Sequence, residues 1–473
     1  MPDPATTPVP APSGTFLRLH RLLRSNWITS LGAALMTLAL MGGVTIAALH
    51  TTGSEAWTGP YAGLVLTVLA PAAFLLGMLL VPFGLLVYRK QLATRIAAMT
   101  DRPMYLARAV VALTAINFAA IGTAGYAGVH YMSSTEFCGK ACHAAMDPEY
   151  VTYLDSPHNR VACVKCHVAP TAQGFLESKI NGTRQLITFL TDSYNRPIPT
   201  PVHNMVPAEQ TCESCHWPEK YLGTKLLVKP HFRDDEKVSG YTNVLLMRTG
   251  GTRPDGKSVG IHWHVHPEAE VEYVTTDHAH MQIPWVRVVK QDGTHEVFAA
   301  PGVALDKMPG GELREMDCID CHNRSAHDFV QPGPAVDTLI ANGLVARELP
   351  FVKKHAMAAL HGEYTREAGP DSIRRHMTQA YAELLTDPAK KQAVERTAEQ
   401  LVKLWTRNIY PERKVNWGAY PSLSNHDGCF RCHDGEHKNA AGRAISKDCA
   451  ICHVVLSENE ENPAVLDTFG MGR

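Results

Sequence analysis

No cysteine occurs in the first 137 of the 473 residues, and after that point none stands alone. All twelve fall in close pairs, each followed at once by histidine, so no thiol is left for a disulfide framework. A basic excess is also missing. The formal net charge is -1 with 19% charged residues, which excludes the basic stripe of a nucleic-acid binder. Acidic and basic side chains are absent from three early runs, 27–49, 61–88 and 109–131. No fixed period relates the cysteine pairs, which excludes a solenoid repeat.

Each of the three uncharged runs exceeds the ~20 residues that a helix needs to cross a ~30 Å hydrocarbon layer. Buried helices of a soluble domain are the plainer explanation, but three such runs before residue 132 weigh against it. The first run lacks the small-residue site of a cleaved signal, and two more follow it. Arg18, Arg21 and Arg24 precede the first run, and Arg89, Lys90, Arg95, Arg102 and Arg108 lie between the second and third. The segment 50–60 has no Lys or Arg. Basic loops stay inside, so the N-terminus is expected in the cytoplasm and everything from 132 onward in the periplasm of a bacterium. This predicts a cytoplasmic tail over 1–26 and a three-helix anchor over 27–131, multi-pass in the inner membrane.

Five cysteine pairs have the form Cys-x-x-Cys-His: Cys163/Cys166/His167, Cys212/Cys215/His216, Cys318/Cys321/His322, Cys429/Cys432/His433 and Cys449/Cys452/His453. Two thiols so spaced add to the two vinyl groups of one porphyrin, and the next residue offers its imidazole to the iron. Zinc knuckles also use Cys-x-x-Cys. Five copies with an adjacent histidine, outside a membrane, point instead to haem c. Cys138-Gly-Lys-Ala-Cys142-His143 has three residues between its thiols and is read as a sixth haem site. An unused thiol pair would oxidise in the periplasm; if this site is empty, five haems remain.

Fifteen histidines beyond residue 131 lie outside the motifs, enough to give every iron a second imidazole. The candidates are His158, His203, His327, His426 and His437, each near a motif, any of which is otherwise an ordinary surface histidine. His262, His264 and His266 alternate with Ile261, Trp263 and Val265, which on a strand puts three imidazoles on one face. One of the three, represented by His264, is expected to bind iron; His278 and His280 repeat the pattern, with His278 the candidate.

Residues 132–230 carry three motifs and little periodicity. Residues 231–330 form a β-rich segment with the fourth motif, with 240–300 read as strands. Residues 331–420 are helical, with Ile373, Met377, Tyr381, Leu384 and Leu385 on one face and Val394, Ala398, Leu401, Val402 and Trp405 on another, after a break at Asp387-Pro388. Residues 421–473 hold the last two motifs and a tail expected to be disordered after Ser457. The fold class is thus a membrane-anchored multihaem cytochrome: three N-terminal transmembrane helices and a mainly helical, haem-packed periplasmic domain with a small β-rich insert.

Glu136-Phe137-Cys138 after the third run, His158 ahead of Val161-Ala162-Cys163, and Pro170, Phe175 and Lys179 make the chain resemble the NapC/NirT cytochromes. The three-run anchor and segments such as Gly260-Ile-His-Trp-His264 and Gly428-Cys-Phe-Arg-Cys-His resemble a narrower group, the three-span inner-membrane cytochromes of extracellular electron transfer. The resemblance implies oxidation of a membrane quinol, menaquinol or another, at the periplasmic face. Electrons then pass through the haems to a periplasmic carrier cytochrome or terminal reductase. It further implies a methionine ligand to the first iron. Met146 is nearest, three residues past His143 where the family pattern has two, so His143 and Met146 both stay open. Lys179 matches a family lysine near the quinol, with Glu177, Glu136 and Asp147 as further candidates; the expected acidic partner falls near Leu186. His50 and His130 fall at the outer ends of runs, where they could bond quinol or sit among headgroups.

Two other readings share these motifs. One is a multihaem reductase or oxidase of the nitrite or hydroxylamine type, which needs an open iron. The other is a docking subunit feeding a partner enzyme. A homo-oligomer is compatible with all three.

Overall fold

The computed structural model describes residues 23–51 except 25, 69–91 and 94, scattered positions between 112 and 124, and 125–471 except 142, 203–204, 218–222 and 252–258. The chain divides into two units, Met1–Ala141 and Cys142–Arg473.

In the first unit two apolar helices, α1 (Trp27–Thr51) and α2 (Ala70–Val87), pack together. Glycines permit the approach, since a Cβ on Gly32 would stand 2.7 Å from the Gly77 carbonyl oxygen. Polar bonds fix one end: Asn26 donates to the Gly84 carbonyl (3.4 Å) and Trp27 Nε1 to the Tyr88 hydroxyl (3.2 Å). Among the described residues, α2 is the one helix long and apolar enough to cross a membrane, and Trp27–Gly42 is a shorter apolar stretch. The third expected span falls mostly outside the described residues, with 125–132 helical.

The second unit mixes helices and sheets, which corrects the expectation of a mainly helical domain with a small insert. It begins with α3 (His143–Leu154) and α4 (Ala172–Leu190). Strands β1 (Gly223–Phe232), β2 (Gly240–Gly250) and β7 (His453–Glu460) form an antiparallel sheet in the order β1-β2-β7. Strands β3 (Ala269–Thr275), β4 (Trp285–Lys290), β5 (His295–Ala299) and β6 (Glu312–Glu315) form a second, in the order β5-β4-β3-β6. Pro230 sits on the edge strand β1, where a missing amide is tolerated. The expected disorder after Ser457 is also corrected: β7 runs on to Glu460, opposite Thr242, and a short helix follows at Val465–Thr468. In β3 the two-residue period separates Val271 and Tyr273 from Val274, and each side joins its own apolar cluster.

Helices α5 (Pro332–Ala341), α6 (Val352–Leu360), α7 (Gly369–Ala380) and α8 (Pro388–Asn408) supply the largest apolar core. The expected faces are buried there: Ile373, Met377 and Tyr381 on one side, Val394, Ala398, Leu401, Val402 and Trp405 on the other. Asp387 ends the break as the N-cap of α8, accepting from the Ala389 amide at 2.8 Å ahead of Pro388 at the first helical position. Buried Asp337 ties β1 to this core. Its carboxylate accepts from the Phe232 amide (3.2 Å) and pairs with Lys353 (2.7 Å).

Leu401 is fully buried in this cluster. Leu401→Ala is expected to destabilise the helical core by about 2–5 kcal/mol, read as a lower midpoint of thermal unfolding followed by far-UV circular dichroism.

Candidate haem-binding sites

Each plain motif closes as a single turn. The amide of His167 donates to the Cys163 carbonyl (3.1 Å), His216 to Cys212 (2.8 Å), His322 to Cys318 (2.8 Å) and His433 to Cys429 (3.1 Å). On such a turn, residues three and four apart share a face, so the two thiols and the imidazole of a motif project together. At the last motif the Cys452 amide bonds the Cys449 carbonyl (3.2 Å), and β7 departs from His453. No described cysteine forms a disulfide.

Opposite five motif histidines stands a second imidazole. The ring centres are 6.3 Å apart for His167 and His327, 6.1 Å for His216 and His158, and 6.3 Å for His322 and His262. They are 5.8 Å apart for His433 and His264, and 6.0 Å for His453 and His426. An iron with two opposed imidazole nitrogens at ~2.0 Å, each ~1.1 Å from its ring centre, needs ~6.2 Å. The spacing alone is not diagnostic, because His355 and His376 show 6.3 Å with no motif beside them. What marks the five is that each contains a motif histidine.

The distal rings are oriented for this role. A carbonyl can only accept, so Nδ1 is the donor from His327 to Glu149 (2.8 Å), His158 to Ser325 (3.1 Å), His262 to Thr249 (2.8 Å) and His264 to Ile261 (2.7 Å). Each then carries its lone pair on Nε2, as ligating histidines do. His433 is held in the same way by Ser446 (2.7 Å). Burial pushes His167, His262, His264 and His322 below the ordinary imidazole range and His327 down to about 4, which keeps these rings neutral. The residues present therefore fit haem c at five sites.

The segment 261–265 is a 3₁₀ turn, not the expected strand. Gly260 causes the change. Its φ of 93° and its approach to β2, where a Cβ would lie 2.7 Å from the Arg248 carbonyl oxygen, turn the chain. At about three residues per turn, His262 and His264 diverge, and each stands opposite a different motif histidine. The sequence pattern led to the expectation of one ligand among the three histidines; in the structure two of the rings face motif histidines.

His437 leaves the set of ligand candidates. Its Nδ1 contacts Asp434 (3.0 Å) and its Nε2 bonds the Ile283 carbonyl (2.7 Å), so both ring nitrogens are engaged. His278 is exposed in the loop after β3. His203, Cys142 and the side chain of His143 lie outside the described residues. Met146 is half-buried one helical turn after His143 on α3. Nearby, Glu149 went unnoticed in the sequence; burial raises its carboxyl, and its carbonyl orients His327.

Neighbouring motifs lie close together in chain order. The Cys166 thiol is raised by burial and then by the charges of Cys212, Cys163 and Cys215. Cys318 and Cys212 lie within hydrogen-bonding reach of each other. Burial raises Cys432, with charge from Cys321 contributing, and Cys452, with charge from Cys429. Links thus run from the second motif to the third, fourth, fifth and sixth.

The quinol candidates lie on α3, on α4 and in the first unit. On α4, half-buried Lys179 holds its Nζ 5.0 Å from the Phe175 ring centre, and exposed Glu177 accepts from Gln173 (2.8 Å). Leu176, Ile180 and Ile187 on the same helix are exposed. Asp147 is half-buried on α3, while Glu136 and His130 are exposed in the first unit.

Paired motif turns with opposed imidazoles define a multihaem c-type cytochrome, an electron-transport protein. The chain belongs to the NapC/NirT cytochrome c family: residues 101–217 match its N-terminal region. It is similar to the cytochrome c-type protein ImcH of Geobacter sulfurreducens, with 35% identity over 423 residues, covering 85% of this chain and 83% of that relative. No solved structure matches it.

His262→Ala is expected to leave the iron at Cys318/Cys321 without its second imidazole. Optical and EPR spectra of the purified protein should then show one low-spin site turned high-spin. His437→Ala should leave the low-spin count unchanged.

Proposed function

We propose that this chain is a membrane-anchored quinol dehydrogenase of the bacterial inner membrane. It oxidises quinol, of the menaquinol type, at the periplasmic face and relays the electrons through six haems c to a periplasmic acceptor. Three N-terminal spans anchor it, with the N-terminus in the cytoplasm and the second unit in the periplasm. The observation that carries the reading is the set of five histidine pairs, since a relay iron is closed by two protein ligands. A catalyst of the nitrite or hydroxylamine type needs an unpaired motif histidine, and all five whose side chains are described are paired.

When bound, haem c takes up and releases single electrons. The chain's own residues do the rest. His167, His216, His322, His433 and His453 with the imidazoles opposite them would hold the irons, and His143 or Met146 would serve the first. Quinol must lose two electrons and two protons to become quinone. The Lys179 ammonium supplies a positive charge beside a phenolic oxygen as its proton leaves, and Glu177 offers a proton acceptor on the same helix. The exposed Leu176, Ile180 and Ile187 give the isoprenoid tail an apolar surface. The acceptor is a carrier cytochrome or a terminal reductase.

Stopped-flow mixing of the detergent-solubilised protein with a reduced menaquinol analogue should reduce the haem bands rapidly. Lys179→Ala should slow this by about 10²-fold while leaving reduction by dithionite intact. Failure of quinol to reduce the wild type, with ready reduction by a soluble donor, would overturn the proposal.

A further inference from the structure

The variable positions of the fourth and fifth motifs carry opposite buried charges. Asp320, inside Cys318-Ile-Asp-Cys321, is 3% exposed, and Arg431, inside Cys429-Phe-Arg-Cys432, is 9% exposed. Arg431 bridges the two turns. Its Nε donates to the Gly428 carbonyl (2.8 Å), Nη1 to His280 (2.7 Å) and Nη2 to Asp320 (2.7 Å). These acceptors are main-chain oxygens, and among the described residues no carboxylate lies within ion-pair distance of the guanidinium.

The Asp320 carboxylate faces the other way. One oxygen accepts from the Tyr273 hydroxyl and the other from the Asp317 amide at 2.8 Å. Arg314 and His280 approach the first oxygen only to 4.0 Å, and Arg314 is itself paired with Glu312 at 2.9 Å. Asp317 adds a second carboxylate to the fourth turn as its N-cap. On the fifth turn, Asp434 is engaged by His437 at 3.0 Å. The cation is therefore shared between the two turns, while the two carboxylates of the capping box belong to the fourth alone.

We propose that Asp320 and Arg431 set the order of the fourth and fifth potentials, biasing electrons from the site of Cys318/Cys321/His322 toward that of Cys429/Cys432/His433. A buried anion stabilises the oxidised, more positive iron and lowers its reduction potential; a buried cation raises it. The inference rests on the relay reading above. Both residues are positioning residues, acting on the sites through their fixed charge.

The two sites can be read separately. The planes of His262 and His322 are 16° apart and those of His264 and His433 are 80° apart. Near-parallel axial imidazoles give a rhombic low-spin EPR signal, and near-perpendicular ones a signal with a large maximum g value. Assignment follows from the loss of one signal in His262→Ala and of the other in His264→Ala.

The test is EPR-monitored potentiometry of the full-length protein. In Asp320→Asn the fourth midpoint should rise relative to the fifth, lowering the ratio of reduced fifth to reduced fourth site roughly tenfold at partial reduction. In Arg431→Gln both midpoints should fall, the fifth at least as far as the fourth, and Arg431→Lys should restore them. Unmoved midpoints, shifts of the opposite sign, or a lysine variant that behaves like the glutamine variant would overturn the proposal alone. Absence of both low-spin signals from the wild type would overturn the relay reading, and this proposal with it.

Discussion

An iron closed by two imidazoles demands that two rings stand a fixed distance apart with their lone pairs facing. A motif supplies one ring from a single tight turn, and the same turn cannot supply the other. The second unit is arranged around that demand. Histidines from remote segments are delivered opposite the motif rings, and four of them are locked by an Nδ1 bond to a carbonyl. The buried hydrocarbon of α5 to α8 includes none of these paired histidines. The helical core stabilises the scaffold, and the ligand pairs organise the rest.

The sheets serve as brackets for this arrangement. Strand β2 offers the Thr249 carbonyl to His262 and tolerates the close approach of Gly260, so one short turn places two imidazoles opposite two different motif histidines. It also pairs with β7, which starts at the last motif histidine, with Met247 opposite His453. One strand thereby positions histidines that face or belong to the fourth, fifth and sixth motifs. Local rigidity of this kind keeps ring orientations fixed when charge on the irons changes.

What the sequence revealed follows how local each feature is. The motif turns are fully local and were legible residue by residue, as were the helical faces around Leu401 and Trp405 and the break at Asp387-Pro388. The distal histidines were legible as a group, but their partners were not. His158 precedes the second motif yet faces His216 of the third, and His327 follows the fourth yet faces His167 of the second. Nearness in sequence misled at His437, whose ring ties a loop to Ile283. Alternating apolar residues misled at His262 to His266, because a glycine's contact with β2 decides the local turn. Strand β1 lacks a clean alternation, and β7 is rich in polar residues, so neither announced itself.

The crossing of ligands between the second, third and fourth motifs also bears on how such a chain is made. A polypeptide emerging N-terminus first presents His167 long before His327, which arrives only after two further motifs have passed. Porphyrin attached early must wait, open on one side, until the later segment is delivered. A chain interrupted before residue 327 would lack the imidazole that faces His167.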